Sequence, residues 1–478
     1  MAPRSVLTEF RRLGVLAMPI IVAQLSQMGM GVADAVMAGR VSATDLAGVT
    51  LGGNLLWPTM LLMSGIVMAV TPSVSQLNGA GRLGDAGAVV RQALWIALGG
   101  GLLLTLLLRN AEPAYRFFGV DEQAIPVAVG YLSAASLGLV PLLSYTALRC
   151  LAEGMSWTTP AMCISLSALP LKILLNWLFM YGSPELGIPA MGGVGCGWST
   201  AAVMCYTLLA MVVVVSRSRM RASNLFTAFS WPRPRVILDL LVVGVPIGLA
   251  LLVEVGFFSV AGLLSGRLGV EAVASHQIAF NVAGIAFMVP LAIGMAATIR
   301  VGFNVGAGDR AAARLSAWVA VTTTLAWGVV VAAVMLSARF PIVGLYTNNT
   351  EVINLAAALL AIGALFQVFD SAQATTMGAL RGYKATVAPM CIAVVAYWLV
   401  GLPVGAALCF GVGSIPPLHG LLSSAFGAPI GVYGLWWGLV VGLAVAAAAL
   451  LGWLVRVSKS RPTIAVRPPL GKSPTKSG

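Results

Sequence analysis

Stretches of mostly apolar residues succeed one another along this chain, separated by short segments in which Arg, Pro, Gly and Asn gather. A helix that crosses a bilayer needs roughly 20 such residues, and many of the stretches are that long. The pattern predicts twelve spanning helices. Six lie near 13–37, 46–72, 90–108, 126–148, 158–181 and 191–215. Six more lie near 236–264, 272–300, 314–338, 351–379, 385–410 and 431–455, and the third helix reads as the shortest.

Composition agrees with that pattern. Of the 478 residues 59% are hydrophobic and only 9% charged, with a mean hydropathy of +0.95, which excludes an ordinary soluble domain. The net charge of +13 would suggest nucleic acid if the basic residues formed one patch. They follow topology instead. With a cytoplasmic N-terminus, 22 of the 28 basic residues face the cytosol, five (Arg40, Arg109, Arg116, Arg267, Arg339) fall on the far side, and Lys172 lies within the fifth helix. This is the positive-inside distribution, with contact to anionic lipid a secondary consequence and no nucleic-acid partner expected. The six cysteines show no CxxC spacing and read as packing residues. Arg11 and Arg12 before an apolar run imitate a signal peptide, but the run continues past Asp34 and reads as a retained first helix.

The chain repeats itself at an offset of 227 residues, without gaps from Pro19–Gly81 against Pro246–Gly308. Gly39-Arg40 meets Gly266-Arg267, Asn54 meets Asn281, Thr71 meets Thr298, and Gly79-Ala80-Gly81 meets Gly306-Ala307-Gly308. Six spans per repeat is an even number, so both halves enter the membrane in the same direction around a central cleft. The expected units are a six-helix bundle over 1–215, a basic cytoplasmic linker over 216–235 read as a solvated tether, a second bundle over 236–456, and a disordered basic tail over 457–478. A Gly-, Pro- and Ser-rich loop after Cys409, through His419 to Pro429, belongs outside.

Twelve of the fifteen acidic residues fall in predicted loops or at helix ends; Asp34, Glu254 and Asp370 are embedded in apolar runs. A charge at the bilayer centre costs at least about 2.5 to 3.5 kcal/mol, so each should face a cavity, a partner or a proton. A carboxyl that takes up a proton loses the charge that holds a cation. One site can therefore alternate between a proton or sodium ion and a cationic solute, the minimum chemistry of an antiporter. No G-x-x-x-x-G-K-[ST] loop implies ATP.

Phe258 follows Glu254 by four and Phe366 precedes Asp370 by four, which puts ring and carboxylate on one helix face and suits an organic cation. Lys172 and Asn176 share a face of the fifth helix; Lys172 either pairs with Asp34 or snorkels to the interface. Gln27 occupies the position equivalent to Glu254. Asn54 and Asn281 suggest interhelical hydrogen bonds, the two Gly-Ala-Gly segments suggest turns, and His276 and His419 carry no metal role.

Pro19, Asp34, Met37-Ala38-Gly39-Arg40, Asn78-Gly79-Ala80-Gly81-Arg82, Glu254 and Gly306-Ala307-Gly308 resemble the multidrug and toxin extrusion (MATE) family, specifically its NorM-type branch. The resemblance implies two six-helix bundles forming a V-shaped cavity in an all-α polytopic protein of the bacterial inner membrane, not an enzyme. It implies exchange of cationic drugs and dyes for protons, with Na+ the alternative coupling ion, and no further cofactor, metal or obligate protein partner. By that likeness Asp34 is the protonation switch of the first bundle, while Glu254 and Asp370 form the cation site of the second, beside Phe258. Lys172 departs from the neutral polar groups that the family tends to carry near Asp34, which favours protons. Pro19, with Gly29 and Gly31, is the candidate hinge of helix 1. The alternative is a lipid or lipid-linked-oligosaccharide flippase of the same superfamily, which would want arginines in its cavity.

Overall fold

The computed structural model describes residues 5–117, 119–227, 229–411 and 430–459. Through these run twelve helices long and apolar enough to cross a bilayer, the architecture in which every backbone polar group is satisfied internally. The first half holds α1 (Val6–Val41), α2 (Ala43–Gly79), α3 (Leu83–Arg109), α4 (Ile125–Gly154), α5 (Thr159–Tyr181) and α6 (Gly193–Arg217). The second holds α7 (Pro234–Leu268), α8 (Val270–Gly306), α9 (Arg310–Ser337), α10 (Thr350–Gly382), α11 (Val387–Phe410) and α12 (Val432–Lys459). Number and order match the apolar pattern, but several helices run beyond it. α1 begins at Val6, where the Ser5 hydroxyl accepts the Thr8 amide at 3.2 Å, and α12 continues to Lys459. The shortest span is α5, at 23 residues against 27 for α3. The His419–Pro429 loop and the tail beyond Lys459 lie outside the described residues.

Leucines 102, 103, 106 and 107 of α3 are exposed, as lipid-facing side chains should be. The inner faces pack differently at the two ends of the molecule. At the arginine-rich end Leu13, Leu16 and Ile20 of α1 enter one apolar core with Ile299 and Val301 of α8, Val321 of α9 and Leu450 of α12. The N-terminal helix thus buries its first turns in the other half. Pro19 lies inside α1, which remains helical through it.

The same end is sealed by close backbone approach. A Cβ on Gly79 would lie 1.9 Å from the Phe303 carbonyl oxygen, and one on Gly306 2.0 Å from that of Gln76, so neither position accepts a side chain. The Gly-Ala-Gly segments do form turns, through Gly81 and Gly308 at φ of +70° and +74°, but their first glycines serve as the contact between halves. The Gln76 amide donates to the Gly382 carbonyl at 3.0 Å, and the Arg300 guanidinium donates to Glu9 in fork fashion at 2.8 and 2.9 Å. Glu9 is therefore buried, as is Glu153, whereas the sequence pattern placed both in loops or at helix ends. Glu9 goes inside because another helix delivers Arg300, remote in sequence, whereas Glu153 takes its arginine, Arg149, from the preceding turn of its own helix.

The linker is also docked, not a free tether. Met220, Ser223 and Leu225 are buried. Arg91 of α3 donates to the carbonyls of Asn224 and Leu225 at 2.7 and 2.8 Å, and the Trp95 indole to that of Ser230 at 3.1 Å. Three linker carbonyls thus find donors on α3, which holds the segment against the bundle.

Candidate functional site

A cavity of about 400 Å³ lies between the halves. Its second-half wall is made of helix faces repeating every three or four residues: Leu251, Glu254, Val255 and Phe258 on α7, and Phe366, Asp370, Gln373, Met377 and Arg381 on α10. The first half contributes Gln24 and Gln27 from α1, Trp57 from α2, and Tyr145 and Arg149 from α4. Gln27 and Glu254, equivalent by the internal repeat, therefore face the same space. Trp57 is 55% exposed, so this wall is reachable from solvent or lipid away from the sealed arginine-rich end.

The acids in the cavity are poorly partnered. Asp370 is buried, and its Oδ1 has no hydrogen-bond partner among the described residues. Its neighbours on α10, Gln367 and Gln373, also hold buried side-chain oxygens without partners among them. Glu254 interacts electrostatically with Arg381, one face-length further along α10. The aromatic part is continuous: Phe258 lies 5.9 Å from Phe366 and 5.5 Å from Phe280, and Phe366 lies 5.8 Å from Trp436 by ring centroids. Phe258 and Phe366 both line the cavity, Phe258 half-buried and Phe366 nearly fully buried. His276 is buried between Phe280 and Trp436, with ring centroids 5.9 Å from each.

Asp34 is elsewhere. It does not border this cavity but sits in a second cluster inside the first half, where Lys172 Nζ approaches its Oδ1 at 3.1 Å and Asn176 donates to it at 2.6 Å. The lysine is 2% exposed, so it faces the bundle interior and does not snorkel. α6 completes the cluster: Lys172 also reaches Ser199 Oγ at 2.9 Å and Thr200 Oγ1 at 2.5 Å, and Ser199 donates to the Asn176 side-chain carbonyl.

Arg149 and Arg381 are the charged cavity residues that the sequence pattern missed, since both fell just past the predicted ends of their spans. Helical phase could have found them. Arg381 follows Asp370 by eleven residues, three turns on the same face, and Arg149 follows Tyr145 by four. Arg149 is ion-paired with Glu153 at 3.2 Å, and Thr71 donates to Glu153 at 3.3 Å. The cavity is thus not purely acidic: two carboxylates share it with two guanidinium groups. Asn281 accepts from Gln277 of its own helix at 3.3 Å, and Asn54 is exposed, so neither forms the expected interhelical bond among the described residues.

The MatE family model matches residues 19–178 and 246–407, one copy in each half. The chain is 42% identical over 453 residues to the multidrug resistance protein PmpM of Pseudomonas aeruginosa, covering 94% of this chain and 92% of that one. It is 38% identical over 460 residues to the multidrug resistance protein MdtK of Edwardsiella ictaluri, covering 95% and 97%. The solved structure of a eukaryotic MATE transporter, AtDTX14, matches in fold with a TM-score of 0.82 at 20% identity, covering 95% and 98%. A duplicated match across both halves and relatives aligned over nearly the whole chain place this twelve-helix membrane protein in the MatE family, the multidrug and toxin extrusion transporters, which move small organic substrates and are not enzymes.

Proposed function

We propose that this chain is a secondary active efflux transporter of the bacterial inner membrane, with both termini cytoplasmic. It exchanges cationic or amphipathic drugs and dyes for protons by alternating access, and sodium is the other ion the site could use. The observation that carries this reading is the meeting of Glu254 and Asp370, from two helices, in one aromatic-walled cavity between the halves. The multidrug resistance names of relatives at about 40% identity support it.

The chemistry follows from what the cavity lacks. A poorly hydrogen-bonded carboxylate in apolar surroundings is costly, and either a proton or an organic cation relieves that cost. The two loads compete for the same oxygens, so binding one releases the other. Phe258 offers the cation a ring face. The arginine-rich end is closed by Glu9–Arg300 and by the glycine contacts, which corresponds to a cavity facing away from the cytosol. Uptake of protons there and release of the drug form the outward half of the cycle.

The arginines in the cavity favour a second reading, transport of an anionic lipid or lipid-linked sugar. Each arginine already has an acid, however: Arg149 pairs with Glu153 and Arg381 acts on Glu254. One experiment separates the two. Inside-out vesicles or proteoliposomes loaded with ethidium are given a proton gradient and then, separately, a sodium gradient, with Glu254→Gln and Asp370→Asn beside the wild type. The expected result is proton-driven dye movement that falls to the level of empty liposomes in both variants. No dye movement under either gradient, together with scrambling of a labelled anionic lipid, would establish the flippase.

A further inference from the structure

Asp34 faces a polar cage that is already filled. The Lys172 ammonium lies 3.1 Å from Asp34 Oδ1, 2.9 Å from Ser199 Oγ, 2.5 Å from Thr200 Oγ1 and 3.4 Å from the Cys196 carbonyl oxygen. Oxygen ligands with one anionic member are what a hard cation binds. The cage is also oriented for a positive guest. The Thr200 hydroxyl donates to the Cys196 carbonyl at 2.8 Å, which leaves its lone pairs toward Lys172, and Asn176 bridges Asp34 to Ser199. Lys172, Asn176 and Ser199 are each buried, and α1, α5 and α6 supply the ring.

We infer that Lys172 determines ion specificity: its ammonium occupies the place where a free monovalent cation would bind Asp34, so the first half exchanges no ion and coupling falls on Glu254 and Asp370. The inference rests on the antiport reading above for the second half but concerns occupancy of the first. A tethered cation has already lost its translational freedom, so a free ion must displace it at an entropic disadvantage. It also cannot leave the site. Asp34 and Lys172 travel together through the cycle as a neutral pair, and only the second half moves charge against the membrane potential.

Equilibrium binding of radioactive sodium to the purified full-length chain tests this without any transport step. The background is Glu254→Gln with Asp370→Asn, in which the second-half acids are neutral. That double variant is expected to bind no sodium. Adding Lys172→Met should create one site per chain, and adding Asp34→Asn should remove it again. Asp34-dependent sodium binding while Lys172 is still present overturns the inference, as does a monodisperse Lys172→Met protein that gains no site. Should the methionine variant not fold, Lys172→Ala takes its place. In the otherwise wild-type chain, Asp34→Asn must leave sodium stoichiometry unchanged, and the loss of one site there equally overturns it. Failure of dye transport in vesicles leaves these binding outcomes readable, so the two proposals fail separately.

Discussion

The two halves descend from one repeated sequence, yet they treat their buried acids in opposite ways. In the first half Asp34 is held by an ammonium and an amide at 3.1 and 2.6 Å. Among the described residues of the second, Asp370 leaves Oδ1 without a hydrogen-bond partner, and Glu254 has the electrostatic counterweight of Arg381 alone. A satisfied acid is a structural group, because any new partner must displace an old one. An unsatisfied acid facing a cavity is a binding group, because a guest improves it. The duplication thus supplied one scaffold twice, and the difference in partners separates a closed cluster from a working site.

The largest effect should come from breaking the contrast in stability. Asp34→Asn leaves Lys172 buried without its carboxylate, and stranding one member of a buried pair costs about 3–5 kcal/mol. Asp370→Asn removes a charge that has little compensation and should leave unfolding unchanged or slightly improved. Thermal and chemical unfolding of both variants in detergent measures the difference. Equal destabilisation would mean that Asp370 is as well partnered in the membrane as Asp34.

The next effect lies within the aromatic wall. Phe258 and Phe366 both border the cavity, but Phe258 is half-buried whereas Phe366 is nearly fully buried against Trp436. Phe258→Ala should weaken binding of an aromatic cation by the worth of one cation–ring contact, about 0.5–2 kcal/mol or roughly 2- to 30-fold, with folding preserved. Phe366→Ala should instead destabilise the fold by about 3–5 kcal/mol. Dye titration by fluorescence polarisation, run beside unfolding, distinguishes the ring that the cation meets from the ring that mainly holds the wall together. The reverse pattern would make Phe366 the ring that the cation meets.

These expectations also mark what the sequence could reveal. Apolar runs fixed the number and order of helices, because lipid permits only one way to satisfy a spanning backbone. The repeat exposed the two halves, and a lone acid within an apolar run was enough to single out Asp34, Glu254 and Asp370. What stayed hidden were partnerships between remote segments. Glu9 lies near the start of the chain and Arg300 at the end of α8, and no local pattern joins them. Gly79 and Gly306 read as turn residues because each neighbours a true turn glycine; only the assembled halves reveal the carbonyl that would lie 1.9 or 2.0 Å from a Cβ at either position. The grouping of the acids came only from the family resemblance, which paired Glu254 with Asp370 and set Asp34 apart; helix pattern alone gave three similar positions on three helices.

The smallest effect tests whether equivalence by repeat carries function with it. Asn54 and Asn281 occupy matching positions, and buried asparagines in facing helices would be expected to bond across the bundle. Here Asn54 is exposed, and the half-buried Asn281 accepts a 3.3 Å bond from the exposed Gln277 on its own helix. Substitution away from packing and networks changes stability by within about 0.5 kcal/mol. Asn54→Ala and Asn281→Ala should therefore each unfold within that margin of the wild type and transport dye at its rate. A loss of transport in both, with folding intact, would show that the halves share a second working site outside the cavity. A loss in Asn281→Ala alone would extend the second half's working surface along α8, towards Gln277, and deepen the asymmetry between the halves.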